Sequence, residues 1–147
     1  MIVNDRADVA ITEGADGVHL GENSLPVSEV RLLIESRQSP KKFLLGASCH
    51  SLESAKSAAA DGADYIFFGP VFATPSKARF GEPQGVGRLA EVCRSLSIPV
   101  LAIGGITLEN AAACLTAGAT GIAAIRLFQD APDPAAVLQA LRKVTRP

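Results

Sequence analysis

Short apolar runs alternate with longer alanine-rich or amphipathic stretches along this chain, and one phrase recurs three times. It reads Glu13-Gly14-Ala15-Asp16-Gly17-Val18-His19-Leu20, then Asp61-Gly62-Ala63-Asp64-Tyr65-Ile66-Phe67-Phe68, then Ala117-Gly118-Ala119-Thr120-Gly121-Ile122-Ala123-Ala124. A glycine closing an alanine-rich stretch is a helix C-cap signal, because glycine enters the left-handed region without a Cβ clash. The apolar run that follows is too short for a helix and fits a strand buried on both faces. Each copy therefore predicts the same junction, helix into strand.

Three further apolar runs fill the gaps: Ile2-Val3-Asn4, Phe43 to Ser48, and Pro99 to Gly104. Helices are expected after them. Pro26 to Ser36 carries Val27, Val30, Leu32, Leu33 and Ile34 at broadly helical spacing. Ser51-Leu52-Glu53-Ser54 opens a helix with Ser51 as N-cap and an acidic capping-box partner, and Thr107-Leu108-Glu109-Asn110 opens another. Asp133-Pro134 starts the last one, with proline at its first position. Six strands and six helices in strict alternation predict an α/β fold with a parallel sheet. In such folds the functional edge lies at the carboxyl ends of the strands. Polar residues gather there: Asn4 and Asp5, Ser48 and His50, Thr74 to Lys77, Thr107, and Arg126 closing a strand from Gly121 to Ile125. A closed (β/α)8 barrel needs eight units and about 250 residues. The alternative is an open doubly wound sheet, but no dinucleotide-type glycine fingerprint follows the first strand.

Composition narrows the classes. The 147 residues fit one domain, and 48% hydrophobic against 20% charged residues excludes disorder. A net charge of −1 gives no basic excess for nucleic acid or a membrane surface. No apolar run reaches the roughly 18 residues of a spanning helix. Met1 to Arg6 lacks a signal-peptide pattern. Cys49, Cys93 and Cys114 are odd in number and scattered, which predicts reduced thiols in a cytoplasmic protein.

The candidate chemistry is that of phosphate binding. Thr74-Pro75-Ser76-Lys77 offers two hydroxyls and an ammonium to a phosphate or pyrophosphate, or is an ordinary surface turn. Ile103-Gly104-Gly105-Ile106-Thr107 lets backbone approach a ligand, with a helix starting near Thr107 aiming amides at it, or is a tight turn with a capping threonine. Arg126 is placed to clamp a phosphate or to pair with Asp130. Asp5 offers a carboxylate to Mg²⁺ or caps the following helix, the commoner role. His19 and His50 read as structural histidines and Cys49 as a small buried residue. No H-x-x-H or C-x-x-C spacing indicates a transition metal.

Taken in series, these motifs resemble those of the thiamine phosphate synthase and thiazole tautomerase family. The matching segments are Asn4-Asp5-Arg6, Gly14 to Gly21, Gly46-Ala47-Ser48-Cys49-His50-Ser51, Asp64-Tyr65 with Gly69-Pro70-Val71-Phe72, Thr74-Pro75-Ser76-Lys77, and Ala102 to Thr107. The resemblance implies a TIM barrel represented here by its third through eighth βα units, the first two being absent from a single truncated domain, 1–147. It implies a transferase of thiamine biosynthesis that joins hydroxymethylpyrimidine diphosphate to thiazole phosphate and releases pyrophosphate. Carried over by position, Asn4, Ser48 and Lys77 would contact the pyrimidine diphosphate, with Ser48 and Lys77 catalytic. Asp5 would bind Mg²⁺. Thr74, Pro75, Ser76, Gly105, Ile125 and Arg126 would hold the thiazole phosphate.

Departures from the family pattern qualify this. Its second Mg²⁺ aspartate falls on Ser24, with Glu22 near but shifted, and its serine after the last strand is Arg126. Tautomerases carry a histidine where Pro70 stands, so the synthase is the closer match. Other readings are a tautomerase-like protein, a non-catalytic phosphate-ligand binder, or an inactive partial barrel. Small phosphorylated molecules are the expected ligands. Uncovered strand edges would call for a homo-oligomer or a barrel-completing partner.

Overall fold

The three copies of the recurring phrase form three copies of one hydrogen-bonded junction. Gly14, Gly62 and Gly118 have φ of 65°, 97° and 102°. Each glycine amide donates to the carbonyl three residues back, to Ile11, Ala59 and Leu115 respectively. The next amide, of Ala15, Ala63 and Ala119, donates five residues back, to Ala10, Ala58 and Cys114. That pair of bonds is the Schellman motif. The following amides of Asp16, Asp64 and Thr120 donate to Met1, Leu45 and Val100, which joins each new strand to its predecessor.

The structure, a computed structural model, describes residues 1–37, 42–74 and 82–145. It divides into two units, Met1–Phe67 and Phe68–Pro147. The first holds β1 (Ile2–Asn4), α1 (Ala7–Thr12), β2 (Gly17–Leu20), α2 (Val27–Glu35), β3 (Leu44–Cys49), α3 (Leu52–Ala60) and, up to the division, β4 (Tyr65–Phe68). The second holds α4 (Gly85–Ser95), β5 (Val100–Ile103), α5 (Ala111–Thr116), β6 (Gly121–Ala123), α6 (Arg126–Gln129) and α7 (Pro134–Thr145). The expected alternation holds as far as β6, after which two helices follow in succession in place of the one expected, and the expected parallel pairing is present. β1 pairs with β2, β2 with β3, and β5 with β6, all parallel.

In the first unit the strand period of two separates two faces. Val18, Leu20 and Leu45 form one buried cluster with Ala7 and Ala10 of α1 and Val30 of α2. The alternate positions, His19, Gly46 and Ser48, face the other way and carry the polar chemistry. The first unit is further clasped by Arg31 of α2. Its Nη2 lies 2.8 Å from Asp64 Oδ2, and its Nε donates to the Gly62 carbonyl at 3.0 Å. Asp64 Oδ2 also accepts from the Leu45 amide at 2.8 Å. Asp64→Ala removes the ion pair and the bond to the Leu45 amide at a half-buried site. It is expected to cost about 2 kcal/mol in urea unfolding, less than a fully buried pair because solvent screens it. A loss indistinguishable from zero would count against the clasp.

Several local expectations are met closely in the fold. Pro26 stands at the N-cap of α2. Asp133 Oδ1 accepts from the amides of Ala135 and Ala136, capping a helix that begins at Pro134. Ser51 caps α3, but the reciprocal bond comes from the Ser54 hydroxyl, not from an acidic side chain.

Two expectations are corrected. The helix expected from Thr107 begins at Ala111. The Thr107 amide is taken by Asn110 Oδ1 at 2.8 Å, while Asn110 Nδ2 donates to the Gly105 carbonyl at 2.9 Å. The Asn110 side chain thus replaces the first helical turn. The last strand ends at Ala123, not Ile125. Arg126 opens the short α6, whose amides of Phe128 and Gln129 donate to the Ile125 carbonyl.

Candidate functional site

In the first unit, register brings the polar residues together. His19 pairs with Asn4 on one side and with Gly46 on the other. The Asp5 amide donates to the His19 carbonyl at 2.8 Å. Asn4 and Asp5 are exposed at this edge. Asp5 has φ of 68°, the one non-glycine residue with positive φ among those described. Aspartate tolerates this region better than most residues, and such conformations gather at functional sites. Asp5 does not cap α1. Arg6 holds that position without a side-chain cap bond, and Asp5 Oδ1 instead accepts from the Ser24 hydroxyl. Ser24 Oγ in turn accepts from the Gly21 amide at 2.7 Å. Ser24 therefore links the Asp5 carboxylate to the Gly21 amide.

Ser48 does not stand alone. His19 Nε2 lies 2.9 Å from Ser48 Oγ and His19 Nδ1 lies 3.2 Å from the Tyr65 hydroxyl. The imidazole packs beside Tyr65 and Phe67, with ring centroids at 5.6 and 4.4 Å. Gly46 makes room for this arrangement, since a Cβ there would overlap the Tyr65 ring. From the sequence His19 reads as a structural histidine, and nothing there assigns Tyr65 a role. The available signal was the period of two, which puts His19 and Ser48 on one face once β2 and β3 are paired.

Burial lowers the His19 pKa below the ordinary 6.5, so its imidazole is neutral at neutral pH. The unfolded chain then takes up a proton near pH 6.5 that the folded chain refuses. Stability is independent of this group above that value and falls as pH drops below it, toward the folded pKa. Urea midpoints measured from pH 7 to 5 should fall more steeply for the wild-type chain than for His19→Gln. Parallel slopes would contradict this. Cys49 is buried beside the site, and desolvation pushes its thiol up to about 11, so it is protonated and unreactive at neutral pH. His50 Nε2 lies 3.9 Å from Glu22 Oε2.

In the second unit, a cavity of about 370 Å³ is lined by Thr74, Gly105, Thr107, Ile125, Arg126 and neighbouring apolar residues. Four of the expected ligand residues, Thr74, Gly105, Ile125 and Arg126, are thus brought together, and the volume suits a small ligand. The two glycines let the cavity wall close tightly. A Cβ on Gly105, where φ is 65°, would meet the Ala73 and Phe72 carbonyls at 2.6 and 2.7 Å. A Cβ on Gly104 would meet Pro70 at 2.6 Å. The amides of Val71 and Phe72 donate to the Ile103 and Gly104 carbonyls at 2.9 and 3.0 Å, which fixes this approach. Arg126 is exposed, and no ion pair joins it to Asp130 among the described residues. Pro75, Ser76 and Lys77 lie outside the described residues.

Among the described residues no three His, Cys, Asp or Glu side chains cluster as a metal cage. No helix there is long and apolar enough to cross a membrane. The three cysteines are free.

Parallel βα units with hydroxyl, carboxylate and arginine groups after their strands define a protein of α/β class. The thiamine monophosphate synthase family pattern matches residues 1–128. The chain belongs to that family. It is 47% identical over 141 residues to the thiamine-phosphate synthase of Roseiflexus castenholzii, covering 96% of this chain and 60% of that one. It is 48% identical over 141 residues to the thiamine-phosphate synthase of Methanoculleus marisnigri, covering 96% and 64%. The solved thiamine phosphate pyrophosphorylase from Pyrococcus furiosus superposes with a TM-score of 0.83 at 36% identity, covering 98% of this chain and 66% of that one. The chain therefore spans somewhat less than two thirds of the length of these relatives.

Proposed function

We propose that this chain carries out the thiamine phosphate synthase reaction, joining hydroxymethylpyrimidine diphosphate to thiazole phosphate with release of pyrophosphate. The observation that carries the reading is the assembly of Asn4, Asp5 and Ser48 around His19 at the carboxyl ends of β1 to β3, in a chain of this family. On this reading the six βα units are the third to eighth of a TIM-type barrel, in one domain of a cytoplasmic biosynthetic enzyme.

The bond from the pyrimidine methylene carbon to the diphosphate oxygen breaks, and a bond from that carbon to the thiazole nitrogen forms. The leaving pyrophosphate takes the electron pair, so catalysis requires donors that strengthen as negative charge grows there. Ser48 and Lys77 supply such donors, and Asn4 orients the diphosphate. Asp5 is the carboxylate that would hold Mg²⁺. It fits a cation that takes one or two protein carboxylates together with substrate oxygens and water, and Ser24 leaves one carboxylate here. Bound there, Mg²⁺ would supply charge neutralisation to the diphosphate. Thr74, Pro75, Ser76, Gly105, Ile125 and Arg126 hold the thiazole phosphate. Calorimetric titration with the pyrimidine diphosphate tests the reading. Heat in Mg²⁺ that vanishes in EDTA supports it, and no binding in either condition overturns it.

A second reading, a phosphate-ligand binder without turnover, is favoured by the Ser24 hydroxyl engaging Asp5. It expects thiazole phosphate to bind in EDTA, and about tenfold more weakly to Arg126→Ala, since one charge-assisted contact is worth roughly that much. Unchanged affinity in the variant would remove Arg126 from the phosphate site.

A further inference from the structure

Neutral imidazole has one donor nitrogen and one acceptor nitrogen, and both nitrogens of His19 face hydroxyls. Ser48 Oγ lies 2.9 Å from Nε2 and the Tyr65 hydroxyl 3.2 Å from Nδ1. Only two proton arrangements satisfy the pair. In one, Nδ1–H donates to Tyr65 and the Ser48 hydroxyl donates its proton to Nε2, so Ser48 offers a ligand nothing but lone pairs. In the other, Tyr65 donates to Nδ1 and Nε2–H donates to Ser48, which leaves the Ser48 proton free. A diphosphate accepts hydrogen bonds and donates none, so only the second arrangement serves it.

We infer that Tyr65 is a positioning residue that fixes His19 as its Nε2–H tautomer, so that Ser48 presents a hydroxyl proton to an anionic ligand. This rests on the reading of Ser48 as a diphosphate contact. The surroundings enforce the chain of three. His19 is 8% exposed, so water does not compete for its nitrogens. Burial raises the Tyr65 pKa, so the phenol retains the proton that the second arrangement requires. Gly46 gives the Tyr65 ring its place, and Phe67 holds the imidazole from the side at 4.4 Å. A second-tier hydroxyl that selects a histidine tautomer is a general means of orienting the group the histidine touches.

The test combines a spectroscopic and a binding measurement on the full chain. Long-range ¹H–¹⁵N correlation of labelled histidine at pH 7.5 should show His19 protonated at Nε2 alone in the wild-type chain. In Tyr65→Phe, which keeps the ring in its slot, it should show a mixture of tautomers. Pyrophosphate with Mg²⁺, followed by calorimetry, should bind about three- to tenfold more weakly to Tyr65→Phe and to Ser48→Ala. The double variant should be no weaker than Ser48→Ala, because the effect of Tyr65 passes through Ser48. An Nδ1–H tautomer in the wild-type chain, an unchanged spectrum in Tyr65→Phe, or additive losses would each overturn the relay. Normal pyrophosphate affinity in Ser48→Ala together with the expected spectra would instead support the tautomer assignment and remove Ser48 from the diphosphate site.

Discussion

Asp5→Asn should abolish Mg²⁺-dependent binding of the pyrimidine diphosphate, weakening it by about a hundredfold or more, while the fold stays intact. On the proposed reading Asp5 alone would carry the protein's share of the metal charge, with Ser24 at the position of the family's other aspartate. Removing that charge leaves water and diphosphate oxygens alone, and a hard cation is poorly held that way. Asparagine suits the test because Asp5 has φ of 68°, a region that asparagine and aspartate both tolerate. Its side-chain oxygen can still accept from the Ser24 hydroxyl. Urea unfolding should therefore shift by less than about 1 kcal/mol. Asp5→Val makes the contrast, since a β-branched residue in the left-handed region should cost about 1–2 kcal/mol in stability as well. Mg²⁺-dependent binding that survives in Asp5→Asn would show that the metal is held elsewhere.

Gly46→Ala should produce the largest loss of stability, about 3 kcal/mol, and should disturb Ser48 with it. The added methyl would overlap the Tyr65 ring, which lies between β3 and the imidazole of His19. The strand backbone is fixed by its parallel register with β2, so the ring must move, and overpacking of this kind typically costs 1–3 kcal/mol. Moving Tyr65 breaks its contact with Nδ1 and releases the imidazole that touches Ser48. The measurement is urea unfolding of Gly46→Ala, Tyr65→Ala and the double variant. The double should be less destabilised than the sum of the singles, because the methyl then fills space that the ring has left. Simple additivity would mean that the two groups do not compete for one volume.

The architecture was legible because it is written locally. A Schellman junction needs only a glycine at one position and an apolar run after it, so three copies of one phrase located three helix-to-strand turns. The helix starts at Ser51 and Asp133 were legible for the same reason. The errors were local too. Asn110 takes the Thr107 amide with its side chain, and this competition between side chain and backbone delays α5. The run Gly121 to Ile125 is apolar throughout, yet it stops being a strand at Ala123, and Arg126 opens a four-residue helix. Hydrophobicity does not distinguish a strand end from the turn that leads away from it.

The sequence by itself determined the α/β alternation, the edge at which the polar residues gather, and the family. These depend on residue spacing along the chain, which folding does not alter. Tertiary structure alone decided that His19 links Ser48 to Tyr65, that Ser24 engages Asp5, and that Gly105 lies against the Phe72 and Ala73 carbonyls. Each of these joins residues far apart in the chain, and each depends on strand register or loop approach at the scale of a single hydrogen bond. A one-residue slip in pairing would turn His19 to the opposite face of the sheet, and no composition or spacing rule fixes that register in advance.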